Sequence, residues 1–355
     1  MPKNELFPPT RIVSVGTAAP SFRFTQAEAL EFFLKHYPLR ESTQALYKRI
    51  FRNGSIHDRH FALRNPDEVP KEDMDETNER FRRGATELAS KALTEALTEA
   101  DASPEDLDFL AVTTCTGYLC PGLSSYVAEQ VGLRPDVRRA DLVGMGCGAA
   151  LPALEAASDF VRASGGGLAA AVSVEICSAA MFVDDSIDTI VSNALFSDGA
   201  AAAVLGAGAA PGRPRIARFA SLHYPAWREE LRFRLKGGRL RNTLSKDVPA
   251  RSAEALRDIL PALLEPFELN QRDIDHWILH SGGEKILDAA ENALHLPPDA
   301  LAASRRVLRD HGNMSSPTVL YVLKDILSSR PKPGWGLLAS FGAGFSAHGA
   351  LLEFP

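Results

Sequence analysis

The chain has 355 residues, 45% hydrophobic and 24% charged, with a formal net charge of −6 at pH 7. That is ordinary soluble-protein composition, enough chain for two domains or one large double one. The negative balance argues against a nucleic-acid backbone as main partner, and no run approaches the roughly 20 apolar residues of a membrane helix.

The first stretch, MPKNELFPPTRIVSVG, has no apolar h-region, so no signal peptide is expected. Next, ALYKRIFRNG puts Lys48, Arg49 and Arg52 on one basic helix face, a pattern that is usually just solvated. GATELASKALTEALTEADAS reads as an Ala/Leu-periodic helix, Glu105–Thr114 as a short apolar strand, and SSYVAEQVGLRP as a short helix. The strand-like RRADLVG then leads into GMGCGAA, and a strongly helix-forming segment, AALPALEAASDFVRASG, follows it. A Gly, Ala and Pro-rich stretch at 206–218 reads as a boundary, and IARFASLHYPAW resumes an apolar strand at once.

Beyond it the first pattern returns. SAEALRDILPALLEPFELN is a second helix, Arg272–Ser281 repeats the polar, D-(L/I)-D, apolar order of Glu105–Thr114, and KILDAAENALHLPP repeats the short helix ending near Pro. Asp106 and Asp273 stand 167 residues apart. At nearly the same offset Arg309 matches Asp141, so that HGNMSSPT falls where GMGCGAA falls in the first copy. Strands alternating with amphipathic helices predict a layered α-β-α-β-α arrangement. Two related halves, 1–210 and 211–355, would face each other across a pseudo-twofold axis, with loops from equivalent strand ends converging near it.

Three residues gather at that expected centre. Cys147 sits among small residues near a helix N-terminus, where unpaired N–H groups and the helix dipole favour a thiolate and flanking glycines allow close approach. A nucleophilic cysteine needs a base or cation, and His280, at the end of the strand DHWIL, is the candidate. Asn313 lies in the turn matching Cys147 and can donate to a carbonyl or enolate oxygen without titrating. The other cysteines, Cys115, Cys120 and Cys177, have no zinc-finger spacing. Reduced thiols and a cytoplasmic protein are expected.

QALYKRIFRNGSIHDRHFA, TTCTGYLCPG, GMGCGAA, NALFSDGAAAAVL, HSGGEKILDAAE, GNMSSPTVLYVL and SFGAGFSAHGALLEF together resemble the type III polyketide synthases, the chalcone synthase-like branch of the thiolase superfamily. The resemblance implies a duplicated thiolase-like fold of the α/β class. It implies that Cys147 takes an acyl group from a CoA thioester, and that His280 and Asn313 hold a malonyl thioester while its enolate forms. Repeated condensation and cyclisation would follow in a homodimer that uses acyl-CoA starter and malonyl-CoA as substrates and needs no metal or cofactor. It places Phe196 as gatekeeper between CoA tunnel and cavity, and Asn242 where the plant enzymes carry a second gatekeeper phenylalanine. Cys115, Thr116, Cys177, Ala180 and Ser315 match the pocket wall. Cys120, before Pro121 in a bond the resemblance implies is cis, matches the segment that reaches into the neighbouring subunit of the family's dimer and counts among the pocket residues. Arg49, with its neighbours Lys48 and Arg52, matches the CoA-phosphate contact, while two further lysines of that pattern are replaced by Leu46 and Asn53. Ser281 stands where the family's H-P-G-G has proline. A single-round ketoacyl synthase and a non-catalytic acyl-binding subunit stay open as alternatives, as do starter and product.

Overall fold

The computed structural model of the chain describes residues 9–52, 54–208 and 212–355. The first half opens with β1 (Thr10–Ala18). A small ladder of β2 (Phe22–Thr25) and β3 (Asp58–Phe61) follows, with α1 (Gln26–His36) and α2 (Glu41–Phe51) between its strands. It continues through α3 (Met74–Glu99), β4 (Leu107–Thr114), α4 (Leu123–Val131), β5 (Arg138–Val143), α5 (Ala150–Ala163), β6 (Leu168–Glu175), α6 (Ile187–Leu195) and β7 (Gly199–Ala207). The second half has β8 (Arg215–His223), a hairpin of β9 (Leu231–Lys236) and β10 (Arg239–Leu244), α7 (Val248–Leu264) and β11 (Ile274–Leu279). It ends with α8 (Glu284–Leu294), α9 (Ala302–His311), α10 (Thr318–Ser328), β12 (Gly334–Gly342) and β13 (Ser346–Phe354). The expected boundary at 210/211 falls outside the described residues.

The strands run in the order β11-β12-β13-β8-β1-β7-β6-β4-β5, and the halves meet where Arg11 of β1 pairs with Arg215 of β8. On either side of that seam the ladder repeats. β4 lies parallel to β6, then β7 and β1 follow antiparallel; β11 lies parallel to β12, then β13 and β8 follow antiparallel. The duplication read in the sequence is therefore a repeat of sheet topology.

Period-two alternation sorts the side chains into layers. Along β7, Ala201, Ala203 and Leu205 face a core shared with α5 and α10, while Ala200, Ala202 and Val204 face α3. Along β13, Ala350 and Leu352 join the same central core, and Ala347 and Leu351 face α7 and α8. Helices thus cover both outer faces, and α5 and α10 fill the space between the two halves of the nine-stranded sheet. This is the α-β-α-β-α layering expected.

One correspondence departs from the sequence expectation. Asp141 lies in β5, but its match Arg309 lies in α9. Arg138–Val143 exposes and part-buries alternate residues toward its end, whereas Ala303, Ser304, Val307 and Leu308 are buried at helical spacing. The second half has a helix where the first has its edge strand.

β4, β5 and β6 run parallel, so their carboxyl ends release the chain on one side, at Cys115, at Gly144 and at Ile176. Carboxyl ends of parallel strands are where open α/β sheets place ligands.

Candidate active site

Cys147 sits in a 3-10 turn, Gly146–Gly148, that runs into α5. It is half-buried and faces a cavity of about 460 Å³, within the range of small-molecule sites. The glycines around it have separate reasons. Gly146 adopts φ +65° and passes so close to the loop after β12 that a Cβ would lie 2.9 Å from Ala343 N; on Gly148 it would lie 2.9 Å from His348 Cδ2. Gly144, at φ +80°, has open space around it and lines the cavity. Two glycines let the halves close on each other, and one leaves room in front of the thiol.

Burial pushes the Cys147 thiol up to about 12, with Glu175 adding to the rise and a hydrogen bond from Ser315 opposing it. His280 follows β11 directly, is 2% exposed, and is pushed down by burial to about 4. Burial thus favours the uncharged form of both groups.

Asn313 lies between α9 and α10. Its Oδ1 accepts from Ser315 N at 2.8 Å and its Nδ2 donates to Gly282 O at 3.1 Å, which leaves the second amide hydrogen for a ligand. Ser315 is thereby held at φ +61°, a strained conformation for a residue with a Cβ. Its Oγ donates to Cys147 Sγ at 3.2 Å. His280 joins the same chain of neighbours through Gly282, where a Cβ would approach His280 Nε2 to 3.2 Å. The imidazole Nδ1 is buried without a hydrogen-bond partner among the described residues. The three residues expected to converge lie along one path: Cys147, Ser315, Asn313, Gly282, His280.

Sequence reading missed Glu175, the last residue of β6. It is fully buried and collects donors: Cys115 N at 3.0 Å, Cys115 Sγ at 3.1 Å, Thr116 Oγ1 at 2.9 Å, Thr114 Oγ1 at 3.2 Å and Ser316 Oγ at 2.9 Å. Burial raises its pKa and these hydrogen bonds pull it back. The available signal was one charged residue closing an otherwise apolar or small strand, LAAAVSVE, two positions before Cys177. Cys115 and Cys177 are held as thiols well above their ordinary range, first by burial and then by Glu175.

Arg59 was also missed. It is 1% exposed and also lines the cavity. Its guanidinium stands 5.4 Å from the Phe51 ring centre and 5.2 Å from that of Phe61. Its Nη1 donates to Asn193 O at 2.6 Å and Phe196 O at 3.1 Å. Burial lowers it to about 9, with Asp198 opposing the fall.

Cys115, Thr116, Cys177, Ala180, Phe196, Asn242 and Ser315 all line the Cys147 cavity. Phe196 ends α6 and pairs as a β-bridge with Asn313, so the gatekeeper candidate and the amide share a backbone contact. Asn242 Nδ2 donates to Ser192 Oγ at 3.0 Å, and both residues line the cavity. Cys120 is exposed, away from this chain's cavity, and its bond to Pro121 is cis. Lys48 and Arg49 on α2, and Arg52 just past its end, are exposed without an ion pair among the described residues, and none lines the cavity. Asn53 lies outside the described residues.

The chain matches the FAE1/type III polyketide synthase-like family over residues 15–220 and the chalcone and stilbene synthase C-terminal domain over 221–354. It is 33% identical over 351 residues to a 1,3,6,8-tetrahydroxynaphthalene synthase of Streptomyces peucetius subsp. caesius, covering 97% of this chain and 93% of that protein. It is 33% identical over 360 residues to a 3,5-dihydroxyphenylacetyl-CoA synthase of Streptomyces toyocaensis, covering 98% and 90%. The crystal structure of PKS-I from the brown alga Ectocarpus siliculosus superposes with a TM-score of 0.91 at 31% identity, over 99% of this chain and all of that one. These similarities span both halves and the thiol-bearing cavity between them: the chain belongs to the type III polyketide synthases, acyl-transferring condensing enzymes.

Proposed function

We propose that Cys147 is the nucleophile of an iterative condensation that builds a small aromatic polyketide, a resorcinol, pyrone or related ring, from an acyl-CoA starter and malonyl-CoA. The observation that carries this reading is the path Cys147–Ser315–Asn313–Gly282–His280, of which Cys147 and Ser315 line the cavity. The named products of its relatives, tetrahydroxynaphthalene and dihydroxyphenylacetyl-CoA, are small aromatics of this class.

His280, favoured in its neutral form by burial and unpartnered at Nδ1 among the described residues, accepts the Cys147 proton as a thioester carbonyl approaches. The sulfur attacks that carbonyl, and CoA leaves as its thiol on taking up a proton. A malonyl thioester then seats its carbonyl oxygen on the imidazole and the free Asn313 amide hydrogen. As CO2 leaves, the C–C bonding pair becomes an enolate whose charge falls where those donors point. The enolate carbon attacks the Cys147 thioester, the new C–C bond forms and the Cys147 sulfur departs. Returning the lengthened chain to Cys147 repeats the cycle.

CoA phosphates would lie against Lys48, Arg49 and Arg52, exposed cations on and just past the helix that packs against α6. The halves divide near residue 210. A homodimer, working in the cytoplasm, is part of the proposal; exposed Tyr118 and Val143 beside Cys120 and β5 are its contact surface. No helix among the described residues is long and apolar enough to cross a membrane.

The test is product analysis by mass spectrometry after incubation with acetyl-CoA and isotope-labelled malonyl-CoA. Products carrying several labelled two-carbon units per starter are expected; a single unit would identify a one-round ketoacyl synthase instead.

A further inference from the structure

We propose that Arg59 holds the growing chain in the Cys147 cavity, its Nε–Nη2 edge taking the two oxygens of a 1,3-dicarbonyl unit. This rests on the reading that a polyketide is extended in this cavity.

Arg59 stands on β3, lines the cavity with its strand neighbour Phe61, and is 1% exposed. One end of its guanidinium is occupied by backbone, Nη1 donating to Asn193 O at 2.6 Å and Phe196 O at 3.1 Å. Nε and Nη2 are buried without a hydrogen-bond partner, and no carboxylate pairs with the group, among the described residues. Asp198, the carboxylate whose charge reaches it, has both oxygens engaged elsewhere. Its Oδ1 accepts from Ser178 N at 2.8 Å, and its Oδ2 from Ser178 Oγ at 2.6 Å and Ala62 N at 2.7 Å. Burying charged donors without acceptors is unfavourable, so the open edge calls for a ligand. Nearby donors of the same wall are already committed: Asn193 Nδ2 to Tyr47 Oη at 2.9 Å and Phe182 O at 3.0 Å, and Thr116 Oγ1 to Glu175 Oε2 at 2.9 Å.

The shape of the edge selects the ligand. The Nε–H and Nη2–H groups are parallel donors in one plane, a match for two acceptors set side by side. Each two-carbon extension leaves a carbonyl two carbons from the last, and two such oxygens turned the same way make that pair. When the carbon between them gives its proton to water, the oxygens share a negative charge that the guanidinium favours. The backbone ties Arg59 to the condensing end of the site. Gly312, at φ +68°, lets the Asn313 turn close over the arginine stem, where a Cβ would come within 3.0 Å of Arg59 Cγ. Phe196, whose carbonyl sits on Nη1, is bridged to Asn313.

The test titrates acetylacetone at pH 7 into Cys147→Ser protein with and without Arg59→Lys, reading the ultraviolet absorption of the enolate. Lysine keeps a cation and a donor but loses the fork. With Arg59 the enolate fraction is expected to rise about tenfold over solution, as for a hydrogen bond to a charged group, and Arg59→Lys is expected to remove most of the rise. With Cys147 intact, mass spectrometry after acetyl-CoA and labelled malonyl-CoA should show products of fewer two-carbon units from Arg59→Lys. A crystal structure of the Cys147→Ser protein with acetylacetone serves if Arg59→Lys does not fold. Both oxygens should lie within hydrogen-bond distance of Nε and Nη2; acetylacetone bound elsewhere, or not at all, overturns the proposal. So does an enolate fraction equal to that in solution, one unchanged by Arg59→Lys, or acetate displacing acetylacetone at equal concentration, which would reassign the edge to carboxylates. If the thioesters give no product but the enolate still forms on Arg59, the dicarbonyl site stands and the condensation reading falls. If neither is seen, both fall.

Discussion

Ser315 Oγ donates a hydrogen bond to Cys147 Sγ at 3.2 Å, although the two residues belong to different halves of the chain and lie 168 positions apart. The same oxygen stands 3.5 Å from Glu175 Oε1 and 3.7 Å from Cys115 Sγ. It is the hydrogen bond that pulls the Cys147 thiol down against burial. Ser315→Ala should therefore make the thiolate harder to form, slowing acylation about tenfold or more, as expected when a hydrogen bond to a charged group is lost. The check is the pH dependence of Cys147 alkylation by iodoacetamide. Its midpoint should move to higher pH in the variant, and an unmoved midpoint would separate Ser315 from thiol activation.

Gly144 and Gly146 form a matched pair of tests. Both have positive φ, so alanine strains the backbone at either position by roughly 1–2 kcal/mol. Only at Gly146 does the added carbon meet backbone, at 2.9 Å from Ala343 N, and overpacking there adds about 1–3 kcal/mol. Thermal melts should place Gly146→Ala clearly below Gly144→Ala. Equal losses would mean that the halves do not close on Cys147 as tightly as described.

His280 makes stability depend on pH in a defined window. An unfolded imidazole protonates near pH 6.5, whereas the folded one resists until about 4. Between those values the unfolded chain binds a proton that the folded chain refuses. The stability is fully present above pH 6.5 and is lost as pH falls toward 4, amounting to about 2 kcal/mol by pH 5. His348, pushed down to about 4 by burial, contributes in the same direction, while the raised Glu175 and Asp198 work the other way. Replacing His280 with Asn isolates its share, because the other groups stay in both proteins. Stability measured by urea titration at pH 7 and pH 5 should fall less in His280→Asn than in wild type; parallel losses would contradict a buried neutral imidazole.

The α2 cations should act on binding alone. Exposed charges contribute about 0.5 kcal/mol each, so replacing Lys48, Arg49 and Arg52 together with alanine should raise KM for malonyl-CoA about tenfold and leave kcat unchanged. The wild-type advantage should shrink at high salt, where the charges are screened. A fall in kcat at constant KM would remove these residues from the CoA path.

How much of this was legible in the sequence depended on whether a residue's neighbours are near it in the chain. The duplicated helix–strand–helix pattern around Glu105 and Arg272 needs only local periodicity, and it appears in the structure as β4 and β11 with their flanking helices. Cys147, His280 and Asn313 could be placed because each follows or precedes such an element. The repeat offset matched Asp141 to Arg309 in position but carried no information on secondary structure, which in α9 follows from the helical spacing of Ala303 and Val307. Glu175 and Arg59 were missed for another reason. A carboxylate that gathers donors from Thr114, Cys115, Thr116 and Ser316, and a guanidinium set between Phe51 and Phe61, are made by contacts across the sheets. Read along the chain each is a single charge. The burial that raises the Cys147 thiol was equally hidden, since it comes from residues distant in the chain.

The central claim is that acyl groups reach and occupy Cys147. Intact-protein mass spectrometry of wild type and Cys147→Ala, after incubation with a panel of acyl-CoAs with and without malonyl-CoA, tests it most directly. The account predicts acyl adducts on wild type that are absent from Cys147→Ala, and that grow with malonyl-CoA by repeated two-carbon units. Adducts that persist in Cys147→Ala, or no adduct on wild type with any thioester, would contradict it.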